Sequence, residues 1–112
     1  MSTTQERQFQ IYESYHKAYS RRASDWKEAK TEAQANAISD NVELLENHYL
    51  DAAKNALDAN GGAVEAAYDA ASEARQAVEE AYGAAKGIAT KIRLVGKLAG
   101  TVGNLLNKAA GL

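Results

Sequence analysis

Glu13-Ser14-Tyr15-His16 is the first stretch whose residue types and spacing suggest chemistry. Glu-x-x-His puts a carboxylate and an imidazole on one helix face, as in helical di-iron sites. Such a site needs a second pair and two more inward carboxylates, but the other histidine, His48, has Leu45 three residues before it. No metal is expected, and His16 reads as a residue at a helix surface or seam. The absence of cysteine removes thiolate nucleophiles, disulfides and thiolate metal sites. No serine sits in a glycine elbow, and no glycine-rich loop precedes a lysine to cradle phosphate. The carboxylates recur at helical spacing on faces that read as solvated. The chain is therefore expected to be non-enzymatic, with no catalytic residue, cofactor or small-molecule substrate.

The segment with the sharpest pattern is the last quarter. Residues 84–112 hold five cations (Lys86, Lys91, Arg93, Lys97 and Lys108) and no acidic residue. The first 83 residues hold 8 Lys+Arg against 15 Asp+Glu, so the chain divides into parts of −7 and +5. At about 100° per residue, Ile88, Ile92, Val95, Leu98, Val102, Leu105, Leu106 and Leu112 share one broad face. Arg93, Lys97 and Lys108 gather opposite, and Lys91 alone falls out of place. This is the pattern of a cationic amphipathic helix that binds an anionic membrane surface or packs on partner helices. Glycines at 83, 87, 96, 100 and 103 each cost about 1 kcal/mol against Ala in a helix interior. The tail should order only when its apolar face is covered. Gly96 and Gly100, four apart with Gly103 close by, would permit close helix approach.

Three destinations for the tail follow from charge. One is a membrane surface, as in toxin- or effector-like proteins. The second is the acidic stretch 32–83 of the same chain, which holds 11 Asp+Glu and 2 Lys+Arg. The third is the same stretch of a neighbouring chain, in a homo-oligomeric virion or secretion assembly. A small inhibitor or adaptor presenting the acidic surface is a further reading.

The elements that would position these groups are helices throughout. Residues 5–37 read as one helix, with Phe9, Tyr12, His16, Tyr19, Ala23 and Trp26 at alternating three and four spacing. Such a stripe is expected as a buried aromatic seam, and its sharper alternative is a partner-binding face. With Arg21 and Arg22 nearby it has the ingredients for stacking on single-stranded nucleic acid. The charge of only +2 over residues 1–31 and the acidic stretch after them argue against that partner. A second helix is expected from Asp40, where Glu43 completes a capping-box pattern. Asn60-Gly61-Gly62 is the main turn, with glycine closing the preceding helix. From Val64 the apolar pattern resumes and runs into the tail.

The expected fold is all-α: an elongated helical hairpin or a three-helix bundle with its main turn at residues 60–62. It forms one domain, an acidic Ala-rich part over 1–83 and the amphipathic helix over 84–112. A continuous helix across 63–110 would be about 70 Å long, so the tail either folds back near Gly83 or Gly87 or the molecule is elongated. Alanine occurs 24 times, which leaves little bulk for a core, and self-association is expected. The N-terminus lacks a basic-then-apolar leader, and the tail's longest uncharged run, residues 98–107, is short of the ~18–20 residues that span a bilayer. A soluble chain is expected, with membrane association or a place in an exported assembly left open. In length and central glycine turn the chain resembles small secreted WXG-type hairpin proteins. Its turn lacks Trp-x-Gly and Trp26 lies mid-helix, so no family is assigned.

Overall fold

Thr3 begins the first helix by a reciprocal cap. Its hydroxyl accepts from the Glu6 N–H at 3.1 Å while its own N–H donates to the Glu6 carboxylate at 2.8 Å. In the computed structural model, which describes all 112 residues, this helix is α1, Thr4–Glu28. It is followed by α2, Glu32–Lys54, α3, Gly62–Gly83, and α4, Ile88–Ala110. The fold is all-α, with four helices and no strand.

The break expected near Asp40 lies instead at residues 29–31. Thr31 caps α2 by accepting from the Gln34 N–H at 3.1 Å, and the Gln34 side chain accepts from the Lys30 N–H at 2.8 Å. Asp40 and Glu43 sit inside α2, where no free helix terminus is left for them to cap. The connection around 60–62 also differs. Helix α2 ends at Asn55, so Gly61 does not close it; Gly61 opens α3 at φ 131°, a conformation that requires glycine. The tail does fold back at residues 84–87, leaving a molecule 43 × 25 × 18 Å in extent.

Cross-helix pairs define the topology. Tyr12 and Tyr15 meet Tyr49 while Tyr15 donates to Glu46, so α1 and α2 run antiparallel. Arg7 reaches Glu65 and Arg21 reaches Glu79, so α1 and α3 run parallel. Asn41 donates to the Ile92 carbonyl, and His48 lies against Gly103, so α2 and α4 also run parallel. Helix α4 packs on all three others, whereas α2 and α3 do not touch. The α2–α3 connection crosses the end of the bundle. It buries Leu57 completely and is tied to α4 by the Ala59 N–H on the Ala109 carbonyl.

The tail is therefore the centre of the fold. Ile88, Val95, Leu98, Val102, Leu105 and Leu106 are buried in the bundle, Ile92 is half-buried, and Leu112 lies exposed beyond the Gly111 cap. Six buried aliphatics contribute on the order of 10 kcal/mol. Only Gly96, Gly100 and Gly103 are helix-interior, a cost of about 3 kcal/mol, because Gly83 ends α3 and Gly87 caps α4.

Those three glycines are not equivalent. A Cβ at Gly103 would lie 2.7 Å from His48 Nε2, one at Gly96 would meet Asn41 at 3.5 Å, and one at Gly100 would meet nothing. A close contact requires glycine only at 103, against the His48 side chain of α2; Gly96 has room for a methyl beside Asn41, and the expected four-apart pair Gly96 and Gly100 does not form a close approach. Gly100→Ala is expected to raise stability by about 1 kcal/mol. Gly103→Ala should lower it by about 1–3 kcal/mol through overpacking. Thermal denaturation followed by circular dichroism measures both, and equal shifts would contradict this seam.

Candidate interaction surface

Helix α1 is turned with its polar side inward. Arg7, Gln10, Ser14 and Asp25 are buried alongside Ile11, while Phe9 is 57% exposed, Tyr12 39%, Tyr19 42% and Trp26 42%. The expected aromatic core seam is thus an outer face. The reason is visible in the partners of the buried groups. Arg7 donates to the Leu57 carbonyl and the Ala59 carbonyl, each at 2.8 Å, and to Glu65 Oε2 at 3.0 Å. Gln10 donates to the Ala71 carbonyl, and Ser14 bonds back to the Gln10 carbonyl. Buried polar groups need such partners, and these lie on α3 and the crossover. Satisfying them fixes the rotation of α1 and sends the opposite stripe out.

The exposed stripe is ordered by its own contacts. Tyr12 stacks on His16 with ring centroids 5.5 Å apart, and Tyr12 and Tyr15 both contact Tyr49 at 5.5 Å. Tyr15 meets Tyr19 at 5.8 Å. The Arg22 guanidinium lies 3.5 Å above the Tyr19 ring and 5.8 Å from Trp26, and it donates to the Tyr19 carbonyl. Between α1 and α2 the stripe borders an open groove of about 370 Å³ lined by Phe9, Tyr12, Tyr49, Ala52 and Ala53.

A second cluster lies inside, where α1, α3 and α4 meet. Tyr82 donates a short hydrogen bond to Asp25, Arg21 lies over the Tyr82 ring and bonds Glu79, and Lys17 also reaches Glu79. Lys91 was read as a contact for an anionic surface. It is 7% exposed, and its Nζ binds Glu28 at 2.9 Å because its place on α4 faces α1. Lys86, Arg93, Lys97 and Lys108 are exposed. The ion pairs correct the expected charge pairing: the acidic residues Glu65 and Glu79 are met by Arg7, Lys17 and Arg21 of α1, not by the tail. Sequence reasoning missed Arg7 and Asp25, whose only advance signal was a polar residue every three or four positions along α1. Glu13 and His16 join no group of three His, Asp or Glu side chains.

Protonation is shifted around these contacts. Burial pushes the Asp25 carboxyl up, against the opposing pull of Tyr82 and Lys91. Burial also pushes the Tyr82 phenol far above its ordinary range, helped by Asp25. The Ser2 N–H beside Glu65 holds that carboxyl down, together with the Ser2 hydroxyl and Arg7. At Glu79 burial works against ionisation, but Arg21 and Lys17 outweigh it and the carboxyl is lowered. Burial lowers His48, with Asp51 opposing.

Comparison of the chain with protein-family models, characterised proteins and solved structures finds no match. No helix is long and apolar enough to cross a membrane.

The shifts have opposite signs in stability. Glu79 is lowered, so its contribution is present above the unfolded carboxyl value of about 4.3 and is lost on acidification through the folded value. Asp25 is raised, so the fold is penalised at neutral pH and the penalty fades as the group protonates. Asp25→Asn is expected to melt higher than the parent at pH 7, with the difference narrowing toward pH 4. Glu79→Gln should melt lower at pH 7, with that difference also narrowing in acid. Melting temperatures at pH 7, 5.5, 4 and 3 check both, with the Glu79 difference narrowing only in the last interval.

Proposed function

We propose that the chain is a non-enzymatic interaction protein, a helical subunit of a homo-oligomeric assembly that self-associates through the outer face of α1. One observation carries this reading: four large aromatic side chains lie exposed on one face of one helix, pre-ordered by stacking and by Arg22. Tyr, Trp and Arg are the residues that dominate protein–protein hot spots, and Lys, Glu, Asp, Ser and Ala are depleted at interfaces. Of the stripe Phe9, Tyr12, His16, Tyr19, Ala23 and Trp26, only Ala23 is of a depleted type, and none is a Lys, Glu or Asp. Exposed apolar patches of this kind mark interaction sites on soluble domains. A virion or secretion assembly would use such a subunit.

Trp26 is the only tryptophan, so its emission reports directly on this face. Light scattering from about 10 to 200 μM is expected to record a rise in mass, with a blue shift of Trp26. Tyr19→Glu, an exposed change, should abolish both while leaving helicity intact. A constant monomer mass with unshifted emission would defeat the reading.

A second reading keeps α4 as a membrane element. It is favoured by the exposed cations Lys86, Arg93, Lys97 and Lys108 in a segment without an acidic residue. Insertion then requires the apolar face of α4 to leave the bundle at the 84–87 turn. Because α4 is the centre of the fold, the test uses the intact chain carrying Arg93→Glu, Lys97→Glu and Lys108→Glu. The parent should co-sediment with anionic vesicles and the triple variant should not. Equal sedimentation, or none, removes this reading.

A further inference from the structure

We infer that the occupant of the α1 face is a second copy of this chain, packed antiparallel along α1 about a two-fold axis between residues 17 and 18. The inference rests on the association reading above and specifies its register. The stripe runs 9, 12, 16, 19, 23, 26, with intervals of three, four, three, four and three that read the same in both directions. A two-fold at its midpoint sets every position against another of the same stripe. Phe9 meets Trp26 of the second copy, His16 meets Tyr19, and Tyr12 meets Ala23.

The contents of those pairs support this register. Tyr12 against Ala23 matches the bulkiest side chain of a pair with the smallest, and the other two pairs are ring on ring. A parallel arrangement sets Ala23 against Ala23 and leaves a gap beside Trp26. An antiparallel shift of seven residues leaves two of the six stripe positions, Phe9 and Tyr12 or Ala23 and Trp26, without a stripe partner. On the flank away from α2, the proposed register brings Lys27 within a turn of Glu6 of the second copy, and both are exposed. Exposed aromatic surface is about 350 Å² per chain. Two copies bring about 700 Å² of aromatic surface to the contact, to which the central His16 pair and Arg22 add, the scale of a weak, concentration-dependent interface.

The absence of cysteine makes the register measurable. Full-length Tyr12→Cys, mass-tagged, is mixed with untagged Ala23→Cys and oxidised at about 100 μM, and the same is done with His16→Cys and Tyr19→Cys. Disulfides form only between Cβ atoms about 3.5–4.5 Å apart. Mixed disulfides are expected to exceed either homodisulfide several-fold in both pairs, with parent-like circular dichroism for each variant before oxidation. Homodisulfides at 12–12 and 23–23 in equal or greater yield would overturn the antiparallel register. No cross-link in either pair, with a dimeric parent that remains dimeric on Tyr19→Glu, would place the contact elsewhere and overturn the inference. A parent that is monomeric at this concentration defeats the association reading itself, which separates the two failures.

Discussion

The buried guanidinium of Arg7 is the contact on which the other elements depend. At 1% exposure it gathers the Ser2 hydroxyl, two carbonyls of the α2–α3 crossover and the Glu65 carboxylate. A buried cation is tolerated only when its donors are matched, and here the planar fork meets acceptors from three segments at once. That geometry binds the start of α1 to the crossover and to the first turn of α3. Without it, the seven-residue connection 55–61 would be held only by the buried Leu57 side chain, the Ala59–Ala109 bond and the Thr4 hydroxyl on the Leu57 carbonyl.

All four ion pairs involve α1, three to α3 and one to α4. The apolar core is centred on α4, with Leu45 and Ala52 of α2, Leu57 of the crossover, Val64, Val78 and the alanines 67, 71 and 74 of α3, and Ile11 as the one contribution of α1. The labour is divided by residue type. Gly103 leaves room for the His48 side chain of α2 to lie directly over α4, and the small alanines of α3 line the other side of the α4 aliphatics. Helix α1 then closes the bundle mainly through directed polar contacts, which are sensitive to rotation in a way that aliphatic packing is not.

This division explains what could be read from the sequence and what could not. The helical class, the break after residue 83 and the apolar face of α4 follow from periodicity and glycine, which are local signals. The placement of α1 does not, because its aromatic stripe has a stronger period than its polar one and hydrophobic pattern alone turns it inward. The cap at Thr31 leaves no such signal either, since the apolar spacing runs through residues 29–31 without a phase jump. Lys91, the one cation that broke the tail's pattern, was the local sign that α4 has a charged partner inside the fold. Its partner, Glu28, lies 63 residues away, and pairings at that separation leave no mark on periodicity.

The exposure of the aromatic stripe is thus a consequence of the interior and not an ornament of the surface. Turning α1 by about one residue's 100° to bury Tyr12 and Tyr19 would withdraw Arg7 from the crossover and Asp25 from Tyr82. It would also strand Gln10 away from the Ala71 carbonyl. Each loss leaves buried carbonyls or a carboxylate without a donor, at about 1–3 kcal/mol for each unmatched group. Those penalties together rival the gain from covering two tyrosines that are already more than half covered. Within one chain, then, the stripe has no route to burial that preserves the fold. Its remaining apolar surface can be removed from water only by something outside the chain, which is the physical basis for the proposal that α1 is an interaction face.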